Sequence, residues 1–281
     1  MSEILDGKWL SYTIREELKE KVDQLKGVRL PKLVVVLVGD DPASHTYVNA
    51  KEKACKDVGF VSMVHRLNAE TTNEELLTLI QSLNEDETVD GILVQMPIPK
   101  HLDSKAVILS IDPEKDVDGF HPINVGKLHS NEKTFVPCTP LGVMKLLEAY
   151  NIGVAGMNTV VLGRSHLVGR PIAQLLVNAN ATVTICHSRS KHIDEICQRA
   201  DLIVAAVGVP HFVKKDWIKK GAVVVDVGIH RSEDNKIIGD VVEDAMELAS
   251  FMTPVPKGVG PMTIAMLLSN TFDAYQQHLK G

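Results

Sequence analysis

The chain has 281 residues, 44% of them hydrophobic, and a net charge of −6. That is enough for two domains with real cores, and the charge gives no reason to expect a nucleic-acid partner. Its four cysteines (Cys55, Cys138, Cys186, Cys197) form no Cys-x-x-Cys pair and its eleven histidines show no metal-binding spacing, which argues against a disulfide framework and a metal site. The N-terminus does not read as a signal peptide and no apolar run approaches the ~20 residues needed to span a bilayer, so no membrane is expected as a partner and a reducing cytoplasm is the expected compartment.

Trp9 to Leu25 reads as an amphipathic helix. Leu33 to Val38 is continuously apolar and reads as a strand buried on both faces. Gly39-Asp40-Asp41-Pro42 is a loop, and Ser44 is expected to cap the following helix. That helix carries Tyr47 and Lys51, four apart and so on one face near its start. Val61 to Leu67 is a second strand, and Thr72 with Glu75 makes a capping box for the next helix. Gly91 to Gln95 is a third strand, stopped by Met96-Pro97-Ile98-Pro99. A short helix, Ser104 to Ser110, ends at Asp112-Pro113, before a loop with two carboxylates and a glycine, Asp116-Val117-Asp118-Gly119-Phe120-His121-Pro122. Alternating strands and helices predict an open parallel sheet, with ligands beyond the carboxyl ends of its strands. Tyr47, Lys51 and Gln95 all follow or close a strand at that edge.

Pro137-Cys138-Thr139-Pro140 begins a connecting helix that runs through Tyr150. Thr159 to Leu162 is then a strand, Gly163 allows a tight turn, and a helix follows with Pro171 near its first turn. Free backbone N–H groups and the positive helix end make such a junction a phosphate site. The turn resembles a Rossmann turn but departs from Gly-x-Gly-x-x-Gly: Ser165 replaces the middle glycine, and Gly169 comes one position late. The next strand, Ala181 to Cys186, ends in His187-Ser188-Arg189-Ser190-Lys191. An NAD site would place an acidic residue there for the ribose 2′-hydroxyl. A hydroxyl and two cations stand there instead, which suits the 2′-phosphate of NADP. Leu202 to Val207, closed by Gly208, and Ala222 to Val227, closed by Gly228, are further strands. Residues 254–263 read as a rigid Pro/Gly loop, and a final helix from Ile264 to about His278 is expected to pack back on the first domain.

The expected fold class is therefore α/β: two β/α domains with parallel sheets, the second Rossmann-like and NADP-binding, with a cleft between them. The first domain is expected to comprise residues 1–137 plus the C-terminal helix 262–281, and the second residues 138–261. Within the first, a partly desolvated Lys51 on a cleft wall can act as acid or base near neutrality. Tyr47 offers a stacking face and a hydroxyl, and Gln95 an amide oxygen for the Lys51 amine. Asp118 offers a carboxylate that can pair with an amidine-like heterocycle edge through two parallel hydrogen bonds.

Six motifs, in order, carry a family resemblance over essentially the whole chain: Tyr47-Val-Asn-Ala-Lys51; Gly91-Ile-Leu-Val-Gln95 with Pro97 and Pro99; Asp116-Val-Asp-Gly-Phe-His121; Pro137-Cys-Thr-Pro140; Gly163-Arg-Ser165 through Gly169-Arg-Pro171; and Gly258-Val-Gly-Pro-Met-Thr263. The sequence resembles the bifunctional methylenetetrahydrofolate dehydrogenase/methenyltetrahydrofolate cyclohydrolases, whose cofactor turn has this same glycine spacing. The resemblance implies NADP-dependent oxidation of 5,10-methylenetetrahydrofolate and then hydrolysis to 10-formyltetrahydrofolate, in a homodimer. It implies Lys51 as the key catalytic residue, supported by Gln95, with Tyr47 on the pterin and Asp118 anchoring its amino group and ring nitrogen. Val94, Met96, Pro256, Gly258, Gly260 and Pro261 are the further substrate contacts it implies. For NADP it implies Gly163, Arg164, Ser165, Ser188 and Ile229, with Thr263 near the nicotinamide; Arg189 is a further candidate from its place at the strand end. The alternative, a dehydrogenase of this fold without the hydrolase step, would not need Lys51 with Gln95. One position departs from the family: Lys257 stands where glycine is usual, and a positive φ there would strain it.

Overall fold

The computed structural model describes residues 2–280. They form two compact units: residues 13–136 with the chain from Ile264 onward, and the chain up to Tyr12 with Pro137–Thr263. The chain begins with β1 (Glu3–Ile4) and α1 (Gly7–Asp23), then β2 (Lys32–Val38), α2 (Pro42–Asp57), β3 (Val61–Leu67), α3 (Asn73–Glu85), β4 (Gly91–Val94), α4 (Ser104–Ser110) and α5 (Pro122–His129). β2 is the middle of a three-stranded parallel sheet of order β3-β2-β4. Flanked on both sides and covered on both faces, it is apolar after Lys32, and Val34, Val36 and Val38 pack with Leu76 and Ile80 of α3 and Val107 of α4.

The capping box of α3 is present: the Thr72 hydroxyl accepts the Glu75 N–H at 3.2 Å, and the Glu75 carboxylate accepts the Thr72 N–H at 2.8 Å. The cap of α2 differs from expectation. Asp41 accepts the Ser44 N–H at 2.8 Å, and Ser44 lies inside the helix. Pro42 takes a first-turn position that needs no N–H partner, which moves the cap back to Asp41. Helix α5 was not expected; Pro122 opens it, and His121 caps it by accepting the Ile123 N–H at 3.1 Å.

The chain continues with α6 (Cys138–Ala149), β5 (Asn158–Leu162), α7 (Gly169–Asn178), β6 (Thr182–Cys186), α8 (Ile193–Cys197), β7 (Leu202–Ala205), β8 (Val223–Asp226), the β9–β10 hairpin (His230–Arg231 and Ile237–Ile238), β11 (Phe251–Met252) and α9 (Val259–His278). Six strands form one parallel sheet of order β1-β11-β8-β7-β5-β6. Val160, Leu162, Ile203, Ala205 and Val224 lie in its buried core. Here the domain boundary corrects the sequence reading. Glu3 and Ile4 pair with Phe251 and Met252, so the first twelve residues belong with 137–263 rather than with the rest of 1–137. β7 and β8 end earlier than expected. α9 begins at Val259, inside the stretch read as a loop, because Pro261 stands in its first turn, where proline is tolerated.

The later part of α9 packs on residues of its own unit. Tyr275 is fully buried and its hydroxyl donates to the Arg29 carbonyl at 2.7 Å. The Asn270 amide donates to the Val117 and Val136 carbonyls at 2.8 and 3.0 Å. No helix among the described residues is long and apolar enough to cross a membrane.

Candidate active site

Lys51 projects from α2 and is 9% exposed; its ammonium donates to Gln95 Oε1 at 2.9 Å. Gln95 directly follows β4. Its backbone N–H continues the ladder to the Val36 carbonyl at 2.8 Å, and its Nε2 donates to the Met96 carbonyl at 2.7 Å. Those two bonds turn the amide oxygen toward Lys51. Tyr47, one turn before Lys51, is about half exposed. In the loop after α4, Asp116 is buried and its carboxylate accepts the His121 N–H and the Asn124 amide, both at 2.8 Å. Burial pushes the Asp116 carboxyl up to about 6, against the lowering effect of these bonds. Gly119, at φ +72°, closes the turn by donating to the Asp116 carbonyl at 3.0 Å. Val94, Met96, Asp116, Asp118 and Phe120 border one void of about 10 Å³. The structure thus joins Lys51, Gln95 and Met96, and sets Val94 and Met96 beside Asp118.

In the other unit, Gly163 ends β5 at φ +109°, donating to the Cys186 carbonyl at 2.9 Å. A Cβ there would collide with the Ala206 carbonyl, and one on Gly169 would collide with the Gly163 carbonyl. Ser165 explains the shifted glycine. Its hydroxyl accepts the N–H groups of Val168 and Gly169 at 3.1 and 3.2 Å, so it caps the start of α7. The N–H groups of Arg164 to Leu167 find no protein acceptor among the described residues. After β6, His187 donates its N–H to Ser190 Oγ at 3.0 Å and accepts the Arg189 N–H on Nδ1 at 3.1 Å, which leaves Ser188 and Arg189 on the surface. Arg164, Arg189 and Lys191 form no ion pair among the described residues. No carboxylate stands at this strand end. Open N–H groups and unpaired cations at the carboxyl edge fit a phosphorylated dinucleotide such as NADP.

The segment after β11 is held mainly by backbone. Pro256 is exposed, and Lys257 adopts φ +88°, its carbonyl accepting the Lys8 N–H at 2.9 Å. A Cβ on Gly258 would lie 2.5 Å from the Pro254 carbonyl oxygen, and one on Gly260 would lie 3.4 Å from Ile229 Cδ1. Pro261 accepts from the Ser11 hydroxyl at 3.0 Å, and the Thr263 and Thr139 hydroxyls meet at 2.8 Å. Sequence reasoning did not single out Asp226, His230 and Asp240, which support the neighbouring loops. A lone aspartate closing an apolar strand before glycine, Asp226-Val227-Gly228, was the available signal.

Two family models match the chain: the tetrahydrofolate dehydrogenase/cyclohydrolase catalytic domain over residues 5–118, and the NAD(P)-binding domain of the same family over residues 137–279. The chain is 58% identical to the bifunctional protein FolD of Campylobacter concisus, over 97% of both chains. It is similar to the crystal structure of the bifunctional FolD methylenetetrahydrofolate dehydrogenase/cyclohydrolase from Campylobacter jejuni, with a TM-score of 0.97 and 51% identity over 99% of each chain. It is also similar to the Trypanosoma brucei enzyme complexed with NADP cofactor and inhibitor, with a TM-score of 0.94 and 39% identity over 100% of this chain and 99% of that one.

Proposed function

Because the chain belongs to the tetrahydrofolate dehydrogenase/cyclohydrolase family, we propose that it oxidises 5,10-methylenetetrahydrofolate with NADP and hydrolyses the methenyl product to 10-formyltetrahydrofolate. The observation that carries the second activity is the Lys51–Gln95 hydrogen bond. In the first step the methylene carbon between N5 and N10 gives up a hydride and becomes the methenyl cation. NADP, when bound, supplies the hydride acceptor. The chain's task in that step is orientation. In the second step water adds to the cationic carbon and loses a proton. The bond from that carbon to N5 breaks, N5 takes up a proton, and the added oxygen gives up its remaining proton as the formyl C=O forms.

Lys51 is the group that moves these protons, and Gln95 holds its amine in place. Tyr47 covers the pterin face. Asp118 pairs with the pterin amino group and ring nitrogen, and an Asp118 backed by the ordered Asp116 turn suits that task. Val94 and Met96, with Pro256, Gly258, Gly260 and Pro261, complete the substrate contacts. Gly163, Arg164 and Ser165 take the phosphates and Ser188 with Arg189 the 2′-phosphate, while Ile229 lines the NADP site and Thr263 lies near the nicotinamide. The same reading includes a homodimer, on the family resemblance, which sedimentation of the purified chain checks. It also includes the cytoplasm, where the four buried thiols suit a reducing milieu.

An absorbance assay with methylenetetrahydrofolate and NADP tests the proposal. Reduced nicotinamide should form, and the methenyl species should then decay faster than in buffer. A methenyl product that decays only at the buffer rate would leave a dehydrogenase alone.

A further inference from the structure

Two buried carboxylates stand at the carboxyl edge of the six-stranded sheet, and the two reactions have no use for either as a reacting group. Asp226 ends β8 and Asp240 lies beyond the β9–β10 hairpin; both are essentially inaccessible. Burying a charge is costly unless hydrogen bonds replace its water, and here backbone donors replace it. Asp226 accepts the N–H groups of Gly228, Asp240 and Val241 at 2.9, 3.0 and 2.9 Å. Asp240 Oδ2 accepts those of Val207 and Gly208 at 2.7 and 3.0 Å, and Oδ1 meets His230 Nε2 at 2.7 Å. A carboxylate only accepts, so Nε2 carries the hydrogen. Gly228 and Gly239 leave no space for a Cβ, which would press on these carboxylates.

What Asp240 ties together is specific. Val207 and Gly208 follow Ala206, whose carbonyl abuts Gly163 of the cofactor turn. His230 follows Ile229, a half-exposed side chain that reaches Gly260. One carboxylate therefore fixes the turn after β7, against which the glycine turn rests, and the segment after β8 that presents Ile229. Ligands of open parallel sheets bind over these strand ends.

We propose that Asp240 and His230 are a positioning pair for the dinucleotide: Asp240 sets the Val207–Gly208 turn, and through His230 it sets Ile229. This rests on the NADP reading above. Neither residue reacts, and neither serves the hydrolysis, which involves no electron transfer and needs no NADP.

Three variants test it: His230→Phe removes the donor, His230→Gln keeps an N–H of similar reach, and Asp240→Asn keeps the volume and an acceptor oxygen. Titration calorimetry with NADP should show affinity reduced roughly tenfold in His230→Phe, the loss of one hydrogen bond to a charged group. His230→Gln should recover most of it, and Asp240→Asn should fall between. Dehydrogenase KM for NADP should rise in parallel with little change in kcat, while hydrolysis of added methenyltetrahydrofolate stays within about twofold of wild type. The proposal is overturned if His230→Phe binds NADP like wild type, if His230→Gln is as weak as His230→Phe, or if hydrolysis falls as far as NADP affinity. The last result would mark a purely structural role. Failure of the underlying reading looks different: the unaltered protein would not bind NADP.

Discussion

Lys51 and Gln95 meet through two long side chains from positions 44 residues apart. The glycine turn after β5, by contrast, is built from backbone inside the single stretch Gly163–Gly169, with one hydroxyl, Ser165, as its brace. Side-chain and backbone construction have opposite weaknesses. The side-chain site loses its chemistry when one functional group is deleted, and the fold around it need not notice. The backbone site tolerates the loss of a side chain better than the addition of a methyl group, because there is no room for one.

The largest expected effect breaks the side-chain site. Lys51→Met keeps the apolar stem and removes the amine. A positioned acid/base group contributes ~10²–10⁴-fold, so cyclohydrolase activity should fall at least about 100-fold. Dehydrogenase activity should fall clearly less, by the part that Lys51 contributes to orienting the folate. Methenyl intermediate should accumulate, with circular dichroism unchanged. If hydrolysis survives while oxidation collapses, Lys51 only positions substrate.

The matching break in the backbone site is Gly163→Ala. At φ +109°, facing the Ala206 carbonyl, alanine adds strain and a collision that only backbone movement relieves. A stability loss of about 2–4 kcal/mol is expected in urea unfolding, together with loss of NADP binding. Gly208→Ala sharpens the comparison. That residue has φ +71° but nothing within reach of a Cβ, so only the strain of a left-handed residue remains, roughly 1–2 kcal/mol. Equal costs for the two variants would show that the close approach at Gly163 is immaterial.

Asp116 separates structural from chemical carboxylates by pH. Burial holds its proton up to about pH 6, against an ordinary value of 3.8. Between those values the folded chain binds a proton that the unfolded chain has released. Its contribution to stability therefore falls as pH rises from about 4 to about 6, and is constant above. The separation corresponds to roughly 3 kcal/mol. In urea unfolding at several pH values, Asp116→Asn should decline less steeply than wild type over this range, keeping the part due to Asp226, which burial also pushes up to about 6; parallel curves would show that Asp116 is solvated.

Legibility followed the same division. The strand, Gly163 and the helix after it were readable because the pattern is local, as was the capping box at Thr72 and Glu75. Lys51 and Gln95 could be joined because Lys51 lies on the helix that follows β2 and Gln95 directly follows β4, and the carboxyl ends of neighbouring strands converge in a parallel sheet. The two-residue strands β1 and β11 were not readable, since their pairing is made by residues nearly the whole chain apart and leaves no periodicity. Asp226 and Asp240 were missed because most of their partners are backbone N–H groups, which have no residue identity, and the one side-chain partner, His230, stands in no recognisable spacing. The start of α9 was misread because Pro261 and Gly260 punctuate most segments but are tolerated in a first turn.

Cofactor choice is a smaller effect. Arg164, Arg189 and Lys191 have no acidic partner among the described residues, and a charge-assisted contact to a 2′-phosphate is worth ~1.5–3 kcal/mol. NADP should exceed NAD by at least about tenfold in kcat/KM. Single alanine variants of Arg164 and Arg189 would rank the two arginines, and equal kcat/KM for the two cofactors in the unaltered protein would overturn the assignment.

The smallest effect tests the one lysine in a backbone-built loop. Lys257 holds φ +88°, a region that costs a side chain roughly 1–2 kcal/mol and costs glycine almost nothing. Glycine also gains freedom in the unfolded chain, which offsets roughly 0.5–1 kcal/mol of that relief. Lys257→Gly should therefore stabilise the protein by only about 0.5–1 kcal/mol. Lys257→Ala should give no gain, because the Cβ that causes the strain remains. The exposed Lys257 side chain forms no ion pair among the described residues, so its removal has little to subtract from the gain. Urea midpoints for the three proteins decide the matter. A glycine variant less stable than wild type would show that the loop holds Lys257 without strain.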